Sequence, residues 1–327
     1  MKKYITIILT LATLAACTKS EVTYEQPGAI AIQPVSQGMT KAAVTAVPKD
    51  QELLIYANYV DPGHSDQDAG DPYLNAAVFA EESSTGIWTG KGQTYFWPKS
   101  GTISLAGCTN YGEVVYSYDD NTFTVEDYEQ SLNPSETVDF IWFGKTQGVN
   151  YDLKTNNLAV TMNHALTWVT IQVKGFGGSV DWKIRSIKLK GVKDKGSLTC
   201  TTTGPTWTSV DATAVNQIFT VYSETDQSKY FTLDDEAKPI ENVTGGTVLI
   251  PQTPVIMEVE YQAGSAWKTK ELDLKISDTN NKWEAGKHYI YDVTFNPYKI
   301  TFKVNTNESW DNTDKTVDQF VDSEINP

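Results

Sequence analysis

Asn163-His164-Ala165-Leu166-Thr167-Trp168-Val169-Thr170-Ile171-Gln172-Val173-Lys174 is the stretch that decides the fold. From Val169 onward apolar and polar residues alternate strictly, which is the period-2 pattern of a strand with one buried face. The same alternation returns at Val255, Met257, Val259 and Tyr261, at Leu272, Leu274 and Ile276, and at Ile300, Phe302 and Val304. Shorter runs of β-favouring residues lie between and before these: Leu53–Val60, Tyr73–Phe79, Val138–Gly144, Leu158–Met162, Ile184–Lys190, Phe219–Tyr222, Tyr230–Leu233, Val248–Gln252 and Ile290–Phe295. Two hairpins are predicted, Gln93–Pro98 with Thr102–Ala106 around Ser100-Gly101, and Val114–Tyr118 with Thr122–Val125 around Asp119-Asp120-Asn121. Two stretches suit short helices. One follows Thr124, with Asp127 three residues on and Pro134 beyond; the other is the tail, where Val317, Phe320, Val321 and Ile325 recur at spacings of three and four. Ser197–Ala214, rich in Ser and Thr, reads as a loop. This many short strands with so little helix predict an all-β chain of two β-sandwiches.

The N-terminus is read separately. Lys2 and Lys3 precede an apolar run, Tyr4–Ala16, and the run closes Leu14-Ala15-Ala16-Cys17. A basic start, a short apolar core and small residues before a cut are the parts of a secretory signal peptide. As a helix the run would reach only about 20 Å, short of a hydrocarbon core of roughly 30 Å. Leu-Ala-Ala-Cys resembles a bacterial lipobox, which makes Cys17 the expected lipidation site; an ordinary signal peptide with an incidental cysteine is the plainer alternative. The expected plan is a lipoprotein signal peptide over 1–17, a tether with a first strand over 18–48, one β-sandwich over 49–155, and a second over 156–327 that includes the C-terminal tail.

Composition narrows the function. The formal net charge is −15 and the isoelectric point near 4.6. An acidic chain is a poor partner for nucleic acid or anionic lipid, so no nucleic-acid partner is expected and membrane attachment falls to Cys17. Arg185 is the sole arginine, which disfavours recognition of phosphate by guanidinium forks. Cys108 and Cys200, far apart in sequence, can pair in an oxidising compartment, but two cysteines in a chain of this size are no disulfide framework.

No catalytic residue is assigned. His164 opens an apolar strand and His288 follows Lys287 at a turn, and both read as structural histidines. No Gly-x-Ser-x-Gly motif occurs. The loop Asp61–Asp71 crowds carboxylates around His64, including Asp66 and Asp68, but its glycine stands out of place for an EF-hand, so no metal and no cofactor are expected. Of the nine tryptophans, Trp97, Trp142 and Trp168 lie in strands and read as core. Trp88 and Trp267 sit beside glycines at turns, which makes them the candidate glycan contacts.

Several local patterns, taken in order, resemble the fimbrillin family, the pilins and pilin-like lipoproteins of Bacteroidales. They are Tyr95-Phe96-Trp97-Pro98 with Ser100-Gly101; His164-Ala165-Leu166 opening the alternating strand; Leu249-Ile250-Pro251-Gln252-Thr253; and Trp283-Glu284-Ala285-Gly286-Lys287-His288-Tyr289 with Tyr291-Asp292-Val293 and a final strand to Trp310. The resemblance implies two tandem transthyretin-like Greek-key β-sandwich domains. It implies a non-enzymatic subunit of surface fimbriae, exported as an outer-membrane lipoprotein, cut near its first strand, and assembled with other fimbrial subunits by donor-strand exchange. Host or bacterial surface glycans or proteins are further expected partners. Cleavage in the family follows Arg or Lys. No arginine lies near this N-terminus, so Lys41 is the expected cleavage residue and Lys49 the second choice; a lysine ahead of a strand also serves simply as a solvated edge residue. Ile300, Phe302 and Val304 carry the spacing of a donor strand and equally that of the last strand of their own sandwich. The alternative function is a surface lipoprotein that never polymerises and binds glycans through Trp88 and Trp267.

Overall fold

The alternating stretches pair into sheets because each has an apolar face to bury and a row of backbone groups to satisfy. The computed structural model describes residues 28–36, 51–63, 71–82, 85–146, 148–149, 157–176, 182–208, 217–241, 247–277, 279, 281–296, 299–307 and 317–321. In chain order the strands are β1 Ala31–Ser36, β2 Leu53–Val60, β3 Asp71–Glu81, β4 Trp88–Gly90, β5 Thr102–Thr109, β6 Val115–Ser117, β7 Thr122–Glu129, β8 Ile141–Phe143 and β9 Leu158–His164. The second half adds β10 Thr167–Gly175, β11 Trp182–Lys190, β12 Lys195–Thr201, β13 Gly204–Thr208, β14 Ile218–Ser223, β15 Phe231–Thr232, β16 Lys238–Pro239 and β17 Thr247–Leu249. It ends with β18 Ile256–Ala263, β19 Ala266–Asp273, β20 His288–Phe295, β21 Ile300–Asn307 and β22 Val317–Val321.

The first sheet is closed, in the order β1-β4-β3-β2-β5-β8-β9, with β9 returning to β1 as a parallel neighbour. Its interior holds Leu53, Ile55, Phe79, Trp88, Trp97, Leu105, Phe143 and Met162. β2 is apolar on both faces because both are covered: Leu54 and Tyr56 point the other way, into a second cluster with Ala106, Cys108, Phe123, Val125, Leu198 and Cys200. Gly107 lets β5 and β8 close up. A Cβ there would overlap the Phe143 ring and stand 2.6 Å from Ile55.

The layer that covers this outer face is a four-stranded sheet, β13-β12-β7-β6. Two of its strands come from each half of the chain, and β12 lies antiparallel to β7 from Lys195↔Glu129 to Cys200↔Phe123. Beyond it, β10, β20, β21 and β22 form one sheet with β16 and β17 beside β10. It packs on a second sheet in the order β14-β11-β18-β19, with β15 beside β11. Val169, Ile171, Ile187, Leu189, Met257, Val259, Tyr291 and Phe302 fill the space between them.

The all-β expectation is met, but several local expectations are not. The segment after Thr124 is strand, not helix: Phe123, Val125 and Tyr128 are buried against the closed sheet, and Asp127 at φ 51° supplies the bulge that brings Tyr128 back to the inner face. Burial at period 2 outweighs a weak capping signal. The turn of helix nearby is a 3-10 turn at Pro134–Glu136, capped by Asn133. The tail residues 317–321 are likewise strand, paired antiparallel to β21. Against the expectation of a loop over Ser197–Ala214, β12 and β13 form a hairpin there; Thr and Ser suit an exposed sheet face as well as they suit a loop. The predicted hairpin around Ser100-Gly101 does not form. β5 pairs with β2 and β8, while residues 95–97 bond to the chain just before β1. Residues beyond 156 also enter the first sheet, since β9 joins β8 to β1.

Candidate functional site

β1 is the piece of the fold on which a function can be built. It is laid between two strands. On one side Ala31 and Ile32 pair antiparallel with Thr89 and Trp88 of β4. On the other, Ile32 to Ser36 run parallel to Leu158–Met162 of β9. The chain just ahead of β1 is held by Ile30 N–H to the Tyr95 carbonyl at 2.8 Å and by Trp97 N–H to the Gly28 carbonyl at 3.0 Å. Ile30 and Ile32 are 1% and 0% exposed. Burying two such side chains is worth roughly 3–6 kcal/mol. The grip fades beyond them: Pro34 has no N–H to give, and Val35 is 38% exposed. The side-chain hold is therefore concentrated at two residues, while the pairing with β9 carries on to Ser36.

Tyr95-Phe96-Trp97 is aimed at β1 by the turn after β4. Gly90 makes that turn possible, because a Cβ there would overlap the Gln93 carbonyl and meet the Tyr95 ring at 2.7 Å. Tyr95 then stacks on Phe79, with ring centroids 5.7 Å apart. Without β1, the edges of β4 and β9 would show unpaired backbone groups over a floor of Phe79, Trp88, Trp97, Val160 and Met162, all of which share one buried cluster with Ile30 and Ile32. Such a slot suits an extended peptide with apolar side chains two residues apart. The alternation in Ala29-Ile30-Ala31-Ile32 is visible in the sequence. Its parallel partner, more than a hundred residues downstream, carries no local signal.

The other candidate residues are placed as follows. Cys17, Lys41 and Lys49 lie outside the described residues, as do Asp66 and Asp68. Ile300, Phe302 and Val304 are buried in their own core, and β21 is flanked by β20 and β22. Trp88 is not a surface platform: it is 1% exposed inside the closed sheet, because β4 is gripped from both sides by β1 and β3. Trp267 is half-buried on β19, with the Arg185 guanidinium 4.6 Å over its ring and Tyr230 edge-on at 5.1 Å. One face is thus already used by a cation–π contact, and Arg185 is fixed there by Glu260 at 3.0 Å. Trp97 and Trp142 are core, whereas Trp168 is only half-buried.

Cys108 and Cys200 are free thiols in the cluster between the closed sheet and its cover. Burial raises both above the ordinary thiol range, which keeps them protonated and unreactive. His164 Nδ1 lies 2.5 Å from Asp139 Oδ2, tying the end of β9 to the approach to β8. Thr109, next to this pair, gives its hydroxyl to the Asp139 and Ile141 carbonyls and accepts from Ile141 N–H. It is occupied structurally. Among the described residues no group of three or more His, Cys, Asp or Glu side chains could hold a metal ion.

His288 has a measurable consequence. Its Nε2 is 2.9 Å from Thr170 Oγ1, and its ring stacks on Trp168 with centroids 3.8 Å apart. Burial lowers its pKa from 6.5 to about 4. The unfolded chain therefore takes up this proton first, so stability is complete above pH 6.5 and falls as the pH drops toward 4. The loss between pH 7 and pH 4 is about 3 kcal/mol from this group. Denaturant titrations across that range are expected to show a flatter pH dependence in His288→Gln; equal slopes in the two proteins would show that His288 is not buried in its neutral form.

The fold and site define an all-β protein of stacked sheets whose first sheet is completed by its N-terminal strand. The family model described as fimbrillin-like matches residues 40–313, and the chain belongs to that family. Both β1 and β22 lie outside the matched residues. Among solved structures, a fimbrial protein from Bacteroides vulgatus ATCC 8482 aligns with TM-score 0.60 and 16% identity, covering 86% of this chain and 99% of the other. A proposed cell adhesion protein from Bacteroides uniformis ATCC 8492 aligns with TM-score 0.53 and 17% identity, covering 86% and 99%. Another, from Bacteroides ovatus ATCC 8483, aligns with TM-score 0.52 and 17% identity, covering 89% and 100%. At these identities the likeness is one of fold. No match was found among the curated proteins.

Proposed function

We propose that this chain is a structural or adhesive subunit of a cell-surface fimbrium, exported as a lipoprotein through Cys17 and assembled by proteolysis-triggered donor-strand exchange. The observation that carries the reading is β1 itself, a strand completing the first sheet whose anchoring side chains, Ile30 and Ile32, stand just ahead of Lys41 and Lys49. A cut at either lysine separates β1 from β2 in the chain. β1 then remains only by its non-covalent hold, and an extended segment from another subunit can replace it strand for strand. Family membership and the fimbrial neighbour support this reading. The buried positions of Ile300, Phe302 and Val304 argue that β21 serves its own sheet, so a donor has to be a segment free of its parent core.

Limited tryptic digestion of the soluble chain from residue 18 onward tests it. The expected product has its new N-terminus at Ala42 or Asp50. Once β1 is stripped in mild denaturant, the body is expected to melt at a lower temperature and to recover when a peptide of residues 28–36 is supplied. A stripped body that melts as before, or that cannot take up the peptide, would overturn the groove. The export half is tested in cells, where Cys17→Ala is expected to lose its lipid; unchanged membrane retention would sink the lipoprotein assignment.

A further inference from the structure

Resting on the export half of the proposed function, we infer that Cys108 and Cys200 are a disulfide-forming pair that clamps β5 of the first half to β12 of the second. The fold places them for it. On β5, Leu105 faces the interior of the closed sheet, whereas Ala106 and Cys108, two residues apart, face its cover. On β12, Leu198 and Cys200 are likewise two apart and face the closed sheet. The two sulfurs therefore enter one buried cluster from opposite layers. Cys108 is flanked in its own sheet by Leu54 and Trp142, and Cys200 in its sheet by Phe123 and Pro205. Both are 0% exposed, and both are thiols in the structure. Burial raises Cys108 most and charge on Cys200 raises it further, which puts the two groups within electrostatic reach of each other.

These are the only cysteines after Cys17, so neither has another thiol in the exported chain to pair with. An exported chain folds where disulfides form and persist. The step is thiol–disulfide exchange. The thiolate of one cysteine attacks the disulfide of an oxidant, which is oxidised glutathione or an exported dithiol oxidoreductase, and releases one of its sulfurs as a thiol. The second cysteine then displaces the other sulfur. One S–S bond forms in the protein, two electrons and two protons pass to the oxidant, and the oxidant becomes two thiols. Once the cluster is closed, burial withholds both the thiolate and the access that this exchange needs. Pairing therefore belongs to folding, before β12 is laid over β5, and the finished bond is equally shielded from reductant. Its effect is to shorten the loop between the two strands in the unfolded chain, and to carry load applied along the chain directly from one half to the other.

The experiment uses the chain from residue 18 onward, unfolded in urea with reductant and refolded by dilution into oxidised and reduced glutathione. Remaining thiols are counted with a maleimide-linked polyethylene glycol added in denaturant, which shifts the band once per thiol. The refolded monomer is expected to take no tag, and two tags after reduction. The paired form is expected to melt about 5–10 °C above the same chain refolded in reductant. Cys200→Ala is expected to melt alike in the two buffers. A refolded monomer that takes two tags overturns the inference, and so does a paired form that melts no higher than the reduced one. The full-length protein, tagged directly from cells with the tagged residues identified by peptide mass, separates this inference from the reading it rests on. Untagged Cys108 and Cys200 support both. If both are tagged there although the refolded chain pairs them, export into an oxidising compartment fails and the pair stands.

Discussion

Phe302→Asp is expected to leave no folded protein at 25 °C, first and second halves alike. Phe302 is 2% exposed on β21, opposite Val293 of β20 and next to the Tyr291 ring at 5.8 Å. Removing the ring costs about 3–5 kcal/mol. The carboxylate that replaces it has no partner in a cluster of Val169, Ile171, Tyr291, Val293 and Val304, which adds several kcal/mol more. Against a total stability of roughly 5–15 kcal/mol the sum is decisive. Lys303→Gln, one residue along and exposed, is expected to change stability by no more than about 0.5 kcal/mol. Far-UV circular dichroism and urea titration of the two variants check this. Had β21 been only a donor, Phe302→Asp would give a folded monomer that cannot enter another subunit. A Phe302→Asp protein with wild-type stability would therefore return Ile300, Phe302 and Val304 to the set of donor residues.

The same strand shows where sequence alone stops. Ile300, Phe302 and Val304 fix a strand with one buried face, and that much is legible. Whether the face is buried in its own chain or in a neighbour is a matter of partners, and period 2 is identical in both cases. The runs Val169–Lys174, Ile184–Lys190 and Val255–Tyr261 are legible for the same reason, because each faces the core on one side and solvent on the other. The failures have a common physical cause as well. Thr122–Glu129 and Lys195–Thr201 stabilise each other across more than sixty residues, and neither carries a strong signal of its own: one resembles a weak helix cap and the other a polar loop. Trp88 is misplaced by sequence because a glycine neighbour suggests a turn, whereas Gly90 is there to let the chain pass the Gln93 carbonyl with Trp88 already inside. The groove itself is half-visible. Its occupant can be read from Ala29-Ile30-Ala31-Ile32, but its walls, β4 and β9, are brought together only by the closed sheet.

Leu198→Asp is expected to unfold the closed first sheet and the second-half sheets together, in a single transition. A chain of two independent sandwiches divided near 155/156 would behave otherwise, keeping β11 and β18 protected while β2 and β5 open. The reason to expect one transition is the β12–β13 hairpin. Leu198 is fully buried and packs with Leu54, Tyr56, Cys108 and Val125, although it belongs to a hairpin that follows β11 in the chain. Trp207 on the same hairpin donates its indole N–H to the Ala165 carbonyl at 2.7 Å. The junction is further tied by Gln130, 3% exposed, whose side chain donates to the Val248 carbonyl at 2.5 Å and accepts from Ile250 N–H at 2.9 Å. Within the second half, Gln252 fixes the approach to β12, accepting the Lys193 N–H at 2.9 Å and donating to the Lys193 carbonyl at 3.2 Å. Parting the halves breaks the Gln130 bonds, each worth about 0.5–1.5 kcal/mol net once water takes the partner's place, and exposes the apolar side chains packed around them. A carboxylate at 198 removes the leucine's packing, about 2–5 kcal/mol, and buries a charge besides. Hydrogen exchange resolves the outcome: amides of β2 and β5 and amides of β11 and β18 should lose protection in parallel as denaturant is raised, in the wild type and at lower denaturant in Leu198→Asp. Protection that persists in β11 and β18 after β2 and β5 have opened would show that the hairpin rests on the first sheet without coupling the halves.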